Sequence, residues 1–259
     1  MRGLQPLWLA CALLTTLPVS QWIRMPVTPV ASGRSVACYP VVGLLLGGLL
    51  ALVAWALDSV SPLLAAALLL AIWIGLTGAL HLDGLADAAD AWFAGHADPV
   101  RTLTVMKDPA AGPMAVASLI VVLLLKFAAL ATLAAATPVT VLVAAIVARA
   151  AAAGFMAAGR YVRPHGIAST QTASLPKPAV WLATFLSALC ALALLCGLSW
   201  LVALAVAAVV LVFVVAWRAA WQRRIGGYTG DIVGGLIECV ETLVLVIAAL
   251  GVSVGMGSL

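Results

Sequence analysis

Nine acidic residues serve this 259-residue chain, and three of them stand together in His81-Leu82-Asp83-Gly84-Leu85-Ala86-Asp87-Ala88-Ala89-Asp90. On a helix, separations of four and three residues put Asp83, Asp87 and Asp90 on one stripe. Carboxylates brought so close repel one another, and a divalent cation between them relieves the repulsion. Mg²⁺ suits such a set, because it takes carboxylates, keeps waters and accepts substrate phosphate oxygens. The plain alternative is a solvated helix end, against which the surrounding alanine and leucine count.

A second acidic element is Gly226-Gly227-Tyr228-Thr229-Gly230-Asp231, followed by Glu238 and Glu241. Asp231 and Glu238, seven apart, share a helical face, and Glu241 stays near Glu238. Asp231 also suits a helix cap, whereas the two glutamates would be costly facing hydrocarbon. Candidate phosphate partners lie in Gly159-Arg160-Tyr161-Val162-Arg163-Pro164-His165-Gly166 and at Lys107-Asp108, near Arg101. Planar guanidinium donors can bind two phosphate oxygens at once, although the same arginines also fit a role as membrane-side anchors. With no Walker A or Rossmann glycine pattern, phosphate would have to be held by side chains and metal. Acids for metal and cations for phosphate point to phosphoryl or phosphodiester transfer at a membrane surface.

The elements that must position these groups follow from composition. Hydrophobic residues make up 65% of the chain and charged residues 8%, against about 25% charged in a soluble domain. With a mean hydropathy of +1.22, an ordinary water-facing shell is excluded and lipid is the expected solvent. The net charge of +4 comes without a basic stripe interleaved with aromatics, so nucleic acid is not an expected partner. Five cysteines scattered in or beside apolar runs read as small buried hydrophobes, and His81, His96 and His165 are too separated to name a zinc site.

Apolar stretches long enough to span a bilayer recur at 36–57, 62–80, 113–135, 139–158, 179–197, 200–217 and 232–252. The expected fold is therefore all-α, a polytopic integral membrane helical bundle of about seven transmembrane helices. Residues 4–19 form either an eighth span or a re-entrant or interfacial helix. We expect one integral membrane catalytic domain over 1–259. Short connections alternate with the polar regions 20–35, 81–112, 159–178 and 218–231, which all fall on one side. Ten of thirteen basic and eight of nine acidic residues gather there or at adjoining helix ends, so that side is expected to be cytoplasmic. Lys126 and Arg149 lie inside apolar runs, either snorkelling or facing a bundle-interior partner.

These motifs resemble those of the cobalamin synthase family, the adenosylcobinamide-GDP ribazoletransferases. The resemblance runs along nearly the whole chain: Leu14-Thr15-Thr16-Leu17-Pro18-Val19, Arg34 to Gly43, Gly78 through Asp90, Arg101 to Asp108, Gly159-Arg160 and Tyr228-Thr229-Gly230-Asp231. The chain departs at Thr16, where family members commonly carry arginine, and at Ala91, where glycine is frequent. The resemblance implies an inner-membrane enzyme that joins α-ribazole, or its 5′-phosphate, to adenosylcobinamide-GDP with Mg²⁺, releasing GMP and forming adenosylcobalamin or its phosphate. On that basis Asp83 and Asp87 are expected to hold the metal, with Asp90 a third ligand or the general base. Asp231 and Glu238 would complete a metal site or orient the acceptor, while Lys107, Arg160, Arg163 and His165 would bind phosphate. The expected partners are the two small-molecule substrates and the bilayer. Oligomeric state is left open, a homo-oligomer included. The competing readings are a membrane CDP-alcohol phosphotransferase and, in another class, a cation or small-molecule transporter.

Overall fold

A computed structural model describes residues 2–96, 98–133, 137–163 and 167–255. Twelve α-helices and no β-strand occur among them. In chain order the helices are α1 (Gln5–Leu14), α2 (Pro29–Ala37), α3 (Tyr39–Ala56), α4 (Pro62–Thr77), α5 (Leu80–Ala94) and α6 (Pro99–Val105), then α7 (Pro113–Leu133), α8 (Thr137–Ala158), α9 (Ile167–Ala173), α10 (Lys177–Cys196), α11 (Trp200–Ile225) and α12 (Gly230–Ser253). Six of them, α3, α7, α8, α10, α11 and α12, are long and apolar enough to cross a bilayer, and the count is seven if α4 and α5, which meet at a sharp bend, are taken as one broken span. The chain is a polytopic membrane helical bundle.

Residues 4–19 do not form an eighth span. Helix α1 has ten residues, about 15 Å at the usual rise, half of a hydrocarbon core of about 30 Å. Thr16 then folds back onto the end of α4, its N–H donating to the Leu76 carbonyl at 2.8 Å and its hydroxyl to the Gly75 carbonyl at 3.0 Å. Helix α11 runs on to Ile225, beyond the predicted end at 217, because no helix breaker intervenes before Gly226, which closes it at φ 76°. The added turns carry Arg218, Arg223 and Arg224.

Two helices form the centre. In α8 and α12, 78% of the apolar window is buried, against 17–39% in the other four long helices. Close approach is built on small residues. A Cβ on Gly43 would stand 2.5 Å from the Ala145 carbonyl oxygen, and one on Gly47 would stand 2.8 Å from Leu142 Cα. This small-xxx-small seam lets α3 lie directly on the α8 backbone.

The spans have two distinct ends. One brings together Asp58, Pro62, Leu130 and Thr137, around the α3–α4 turn and the facing ends of α7 and α8. The other, the loop-rich face, carries α5, α6, α9 and the α11–α12 connection. Helix α5 reaches it through a sharp break. Gly78 and Ala79 both take left-handed backbone, at φ 60° and 56°, and α5 leaves α4 at 86°. The bend lays α5 across the start of α12, and Arg224 holds its far end by donating from Nη2 to the Trp92 carbonyl.

Candidate active site

Helix α5 meets α12 where neither has a side chain to keep them apart. A Cβ on Gly84 would stand 2.8 Å from the Asp231 carbonyl oxygen, and Gly234 and Gly235 face the backbone of His81 and Leu85. The acidic stripe of α5 is thereby brought against the first turn of α12. Asp83 is exposed, while Asp87 and Asp231 are half-buried. The Asp87 carboxyl is pushed up to about 6, first by burial and then by Asp83 and Asp231, with Arg163 pulling it back and Asp90 adding a smaller upward push. Carboxylates brought this close repel one another, and each holds up the proton affinity of its neighbour.

A second backbone arrangement supplies the cation of this site. The chain after α8 and the chain before α12 form an isolated parallel bridge between Tyr161 and Tyr228. Tyr228 N–H donates to the Arg160 carbonyl at 2.9 Å, and Val162 N–H to the Tyr228 carbonyl at 3.0 Å. A side chain at Gly227 would collide with the Arg160 carbonyl, 2.0 Å from the added Cβ. The bridge delivers Arg163 to Asp231, with Nη1 2.9 Å from Oδ2. Thr229 caps α12 through the Ile232 amide, and its hydroxyl contacts Asp231 Oδ2 at 3.3 Å.

The other sequence candidates are placed as follows. Asp90 accepts from the Gly112 amide at 2.5 Å and the Ala115 amide at 2.9 Å, so both oxygens anchor the start of α7. Lys107 and Arg160 are exposed on the same face. Lys107 directly follows Met106, whose carbonyl accepts from Arg163 Nη2 at 3.4 Å and whose sulfur lies 3.1 Å from the Thr229 hydroxyl. His165 lies outside the described residues.

Glu238 is turned into the bundle. Its Oε2 lies 2.5 Å from Lys126 Nζ, which also lies 2.5 Å from Glu241 Oε2. Arg149 Nη1 pairs with Glu241 Oε1. Lys126 also stands over the Trp73 ring, 5.0 Å from its centroid. All four charged groups are buried, and two cations balance two anions. Lys126 and Arg149 therefore face interior partners rather than snorkelling. The network ties α7 and α8 to α12 beneath the acidic mouth. Sequence reasoning could not pair residues so far apart in the chain, although four ionisable groups inside apolar runs were themselves a signal.

The donor set at the mouth suits Mg²⁺. Asp83, Asp87 and Asp231 offer hard oxygens and no competing thiol or imidazole, and this ion needs only one or two carboxylates when waters and phosphates complete its shell. Among the described residues no three acidic, imidazole or thiol groups stand together as a ready-made metal site.

Helical spans around a mouth of carboxylates and one guanidinium define a polytopic membrane protein with an acid-rich site on one face. The family model for cobalamin-5-phosphate synthase matches residues 6–249. An adenosylcobinamide-GDP ribazoletransferase of Stutzerimonas stutzeri is 49% identical over 250 residues, covering 95% of this chain and 98% of that protein. A protein of the same name from Pseudomonas fluorescens is 45% identical, covering 95% of this chain and 99% of that one. No solved structure matches the chain. The chain belongs to the cobalamin-5-phosphate synthase family.

Proposed function

We propose that this membrane enzyme is an adenosylcobinamide-GDP ribazoletransferase, joining α-ribazole or its 5′-phosphate to the GDP-activated corrinoid and releasing GMP. Family membership supplies the reaction. The convergence of Asp83, Asp87 and Asp231 with Arg163 is the observation that carries the assignment of the site. A ribazole hydroxyl attacks the corrinoid-side phosphorus of the pyrophosphate. The bond from that phosphorus to the bridging oxygen breaks, the oxygen leaves with GMP, and the hydroxyl proton passes to a base.

Asp83 and Asp87 would hold Mg²⁺ with Asp231 beside them, and the ion would supply positive charge against the pyrophosphate and the departing GMP. Arg163 offers fixed donors to the phosphoryl oxygens in transit, and Arg160 and Lys107 add positive charge at the mouth. The hydroxyl proton would pass to a carboxylate of this mouth that the ion leaves free. Asp90 and Glu238 act as supports, the first by fixing the start of α7 and the second by tying α12 to α7.

The loop-rich face lies in the cytoplasm and the bundle in the inner membrane. The gathering of ten of thirteen basic residues at that face supports this orientation. No CDP-alcohol or transport observation favours either alternative. The test is to incubate purified protein with adenosylcobinamide-GDP, α-ribazole and Mg²⁺ and follow GMP and cobalamin by chromatography. Equimolar appearance of the two products is expected, and neither product from folded protein would refute the reading.

A further inference from the structure

Tyr161 has no part in the chemistry described above, yet its position is unusual. Of the chain's three tyrosines, Tyr39 and Tyr228 are 2% and 1% exposed, whereas Tyr161 is half-buried at the mouth. In an extended stretch alternate side chains leave on opposite sides. Val162 points toward Gly227, where an added Cβ would stand 2.7 Å from its Cγ1. Tyr161 and Arg163 therefore leave together on the other side. Burial pushes the Tyr161 phenol up, while the charges of Arg163 and Asp231 act on it in opposite directions.

The ring also has a rigid backing. Tyr228 meets it edge-on, with centroids 5.7 Å apart. The Tyr228 hydroxyl donates to the Met156 carbonyl at 3.2 Å and lies 3.3 Å from the Thr172 hydroxyl, and Phe155 packs against it at 5.4 Å. Arg163 keeps a buried Nε without a partner among the described residues, a donor left over after Asp231 and Met106 are satisfied.

We propose that Tyr161 and Arg163 form one nucleotide subsite, in which the Tyr161 ring stacks on a planar heterocycle and Arg163 holds the phosphate of the attached ribose. An aromatic ring and a guanidinium two residues apart on an extended chain match the base and phosphate ends of one nucleotide. The proposal rests on the reaction given above, which supplies two ligands of this chemistry: the guanosine half of the activated corrinoid and the ribazole nucleotide. Stacking on a fixed ring tolerates either base.

The test uses the full-length protein in nanodiscs, with GMP and α-ribazole 5′-phosphate titrated separately by calorimetry. Tyr161→Leu is expected to weaken one of the two by about tenfold or more, and the probe that weakens identifies the source. Tyr161→Phe, which keeps the ring, stays within about threefold of the unaltered protein. Ribose 5-phosphate, which lacks the ring, binds the Leu variant and the unaltered protein alike. Unchanged affinities for both probes in Tyr161→Leu, equal losses in the Phe and Leu variants, or no binding of either probe to the unaltered protein would overturn the subsite.

A second measurement needs no variant. Tyr161 is the accessible tyrosine, so tetranitromethane should nitrate it in the unaltered protein, and the stacking probe at saturation should protect it. Full nitration under both saturating probes would overturn the proposal. Binding and protection without GMP release from adenosylcobinamide-GDP would refute the reaction and support the subsite.

Discussion

Arg163 Nη1 lies 2.9 Å from Asp231 Oδ2, a contact that joins the chain leaving α8 to the first turn of α12. The Tyr161–Tyr228 bridge fixes its geometry, so neither side chain has to search for the other. A guanidinium can hold this carboxylate and still present a donor to phosphate, whereas an ammonium is a point charge. Arg163→Ala is expected to lower kcat by about 10²–10³-fold, with Arg163→Lys recovering only part. Steady-state rates measure this, and activity in the Ala variant equal to that of the unaltered protein would exclude the contact from the reaction.

Asp87 gives a pH-dependent prediction. Its carboxyl is raised from 3.8 to about 6, so the folded protein holds that proton more tightly than the unfolded chain. By linkage this group adds stability as pH falls through about 6 and withdraws it as pH rises. Asp87→Asn removes the repulsion. Without Mg²⁺ it should raise the melting temperature at neutral pH, lose that advantage below about pH 4, and abolish turnover. A melting difference that ignores pH would contradict the repulsion.

The buried network gives the opposite behaviour. Lys126→Met leaves Glu238 and Glu241 sharing only Arg149, and removing one partner of a buried ion pair costs about 3–5 kcal/mol. Replacing both Lys126 and Glu238 with Met should recover much of that loss, because no charge is stranded. If Glu238 is a support, the recovered double variant also regains turnover. A stable but inactive double variant would return Glu238 to the chemistry.

Gly84 tests the α5–α12 approach. Its missing Cβ leaves room for the Asp231 carbonyl, 2.8 Å from where that atom would be. Gly84→Ala must separate the helices, and overpacking of this kind costs about 1–3 kcal/mol. Turnover should fall more than membrane insertion or expression. Turnover matching that of the unaltered protein would mean the acidic stripe does not need α12 so close.

Much of this was legible in the sequence. Spans are properties of about twenty consecutive residues, and a chain with so few charges exposes them clearly. The Asp83–Asp87–Asp90 stripe needed only helical spacing. What one strand of text cannot carry is direction and distant pairing. The turn at Gly78-Ala79 depends on two left-handed residues, and alanine gives no warning of that conformation. The two oxygens of Asp90 go to amides at Gly112 and Ala115, a use that appears only once α5 has been bent across the bundle. Glu238 shares a helical face with Asp231, but seven residues of rise carry it from the mouth to Lys126. Thr16 occupies itself with capping α4, a role its type alone does not announce.

The most direct test of the acidic mouth is a single-turnover experiment with Asp83→Asn and the unaltered protein, both in nanodiscs and matched for folding by melting temperature. Each is mixed with adenosylcobinamide-GDP and α-ribazole across a Mg²⁺ titration, and GMP release is followed. The unaltered protein should release one GMP per active site in a Mg²⁺-dependent burst, while Asp83→Asn should release essentially none at any Mg²⁺ concentration. A burst of comparable rate and Mg²⁺ dependence from Asp83→Asn would show that the chemistry is done elsewhere.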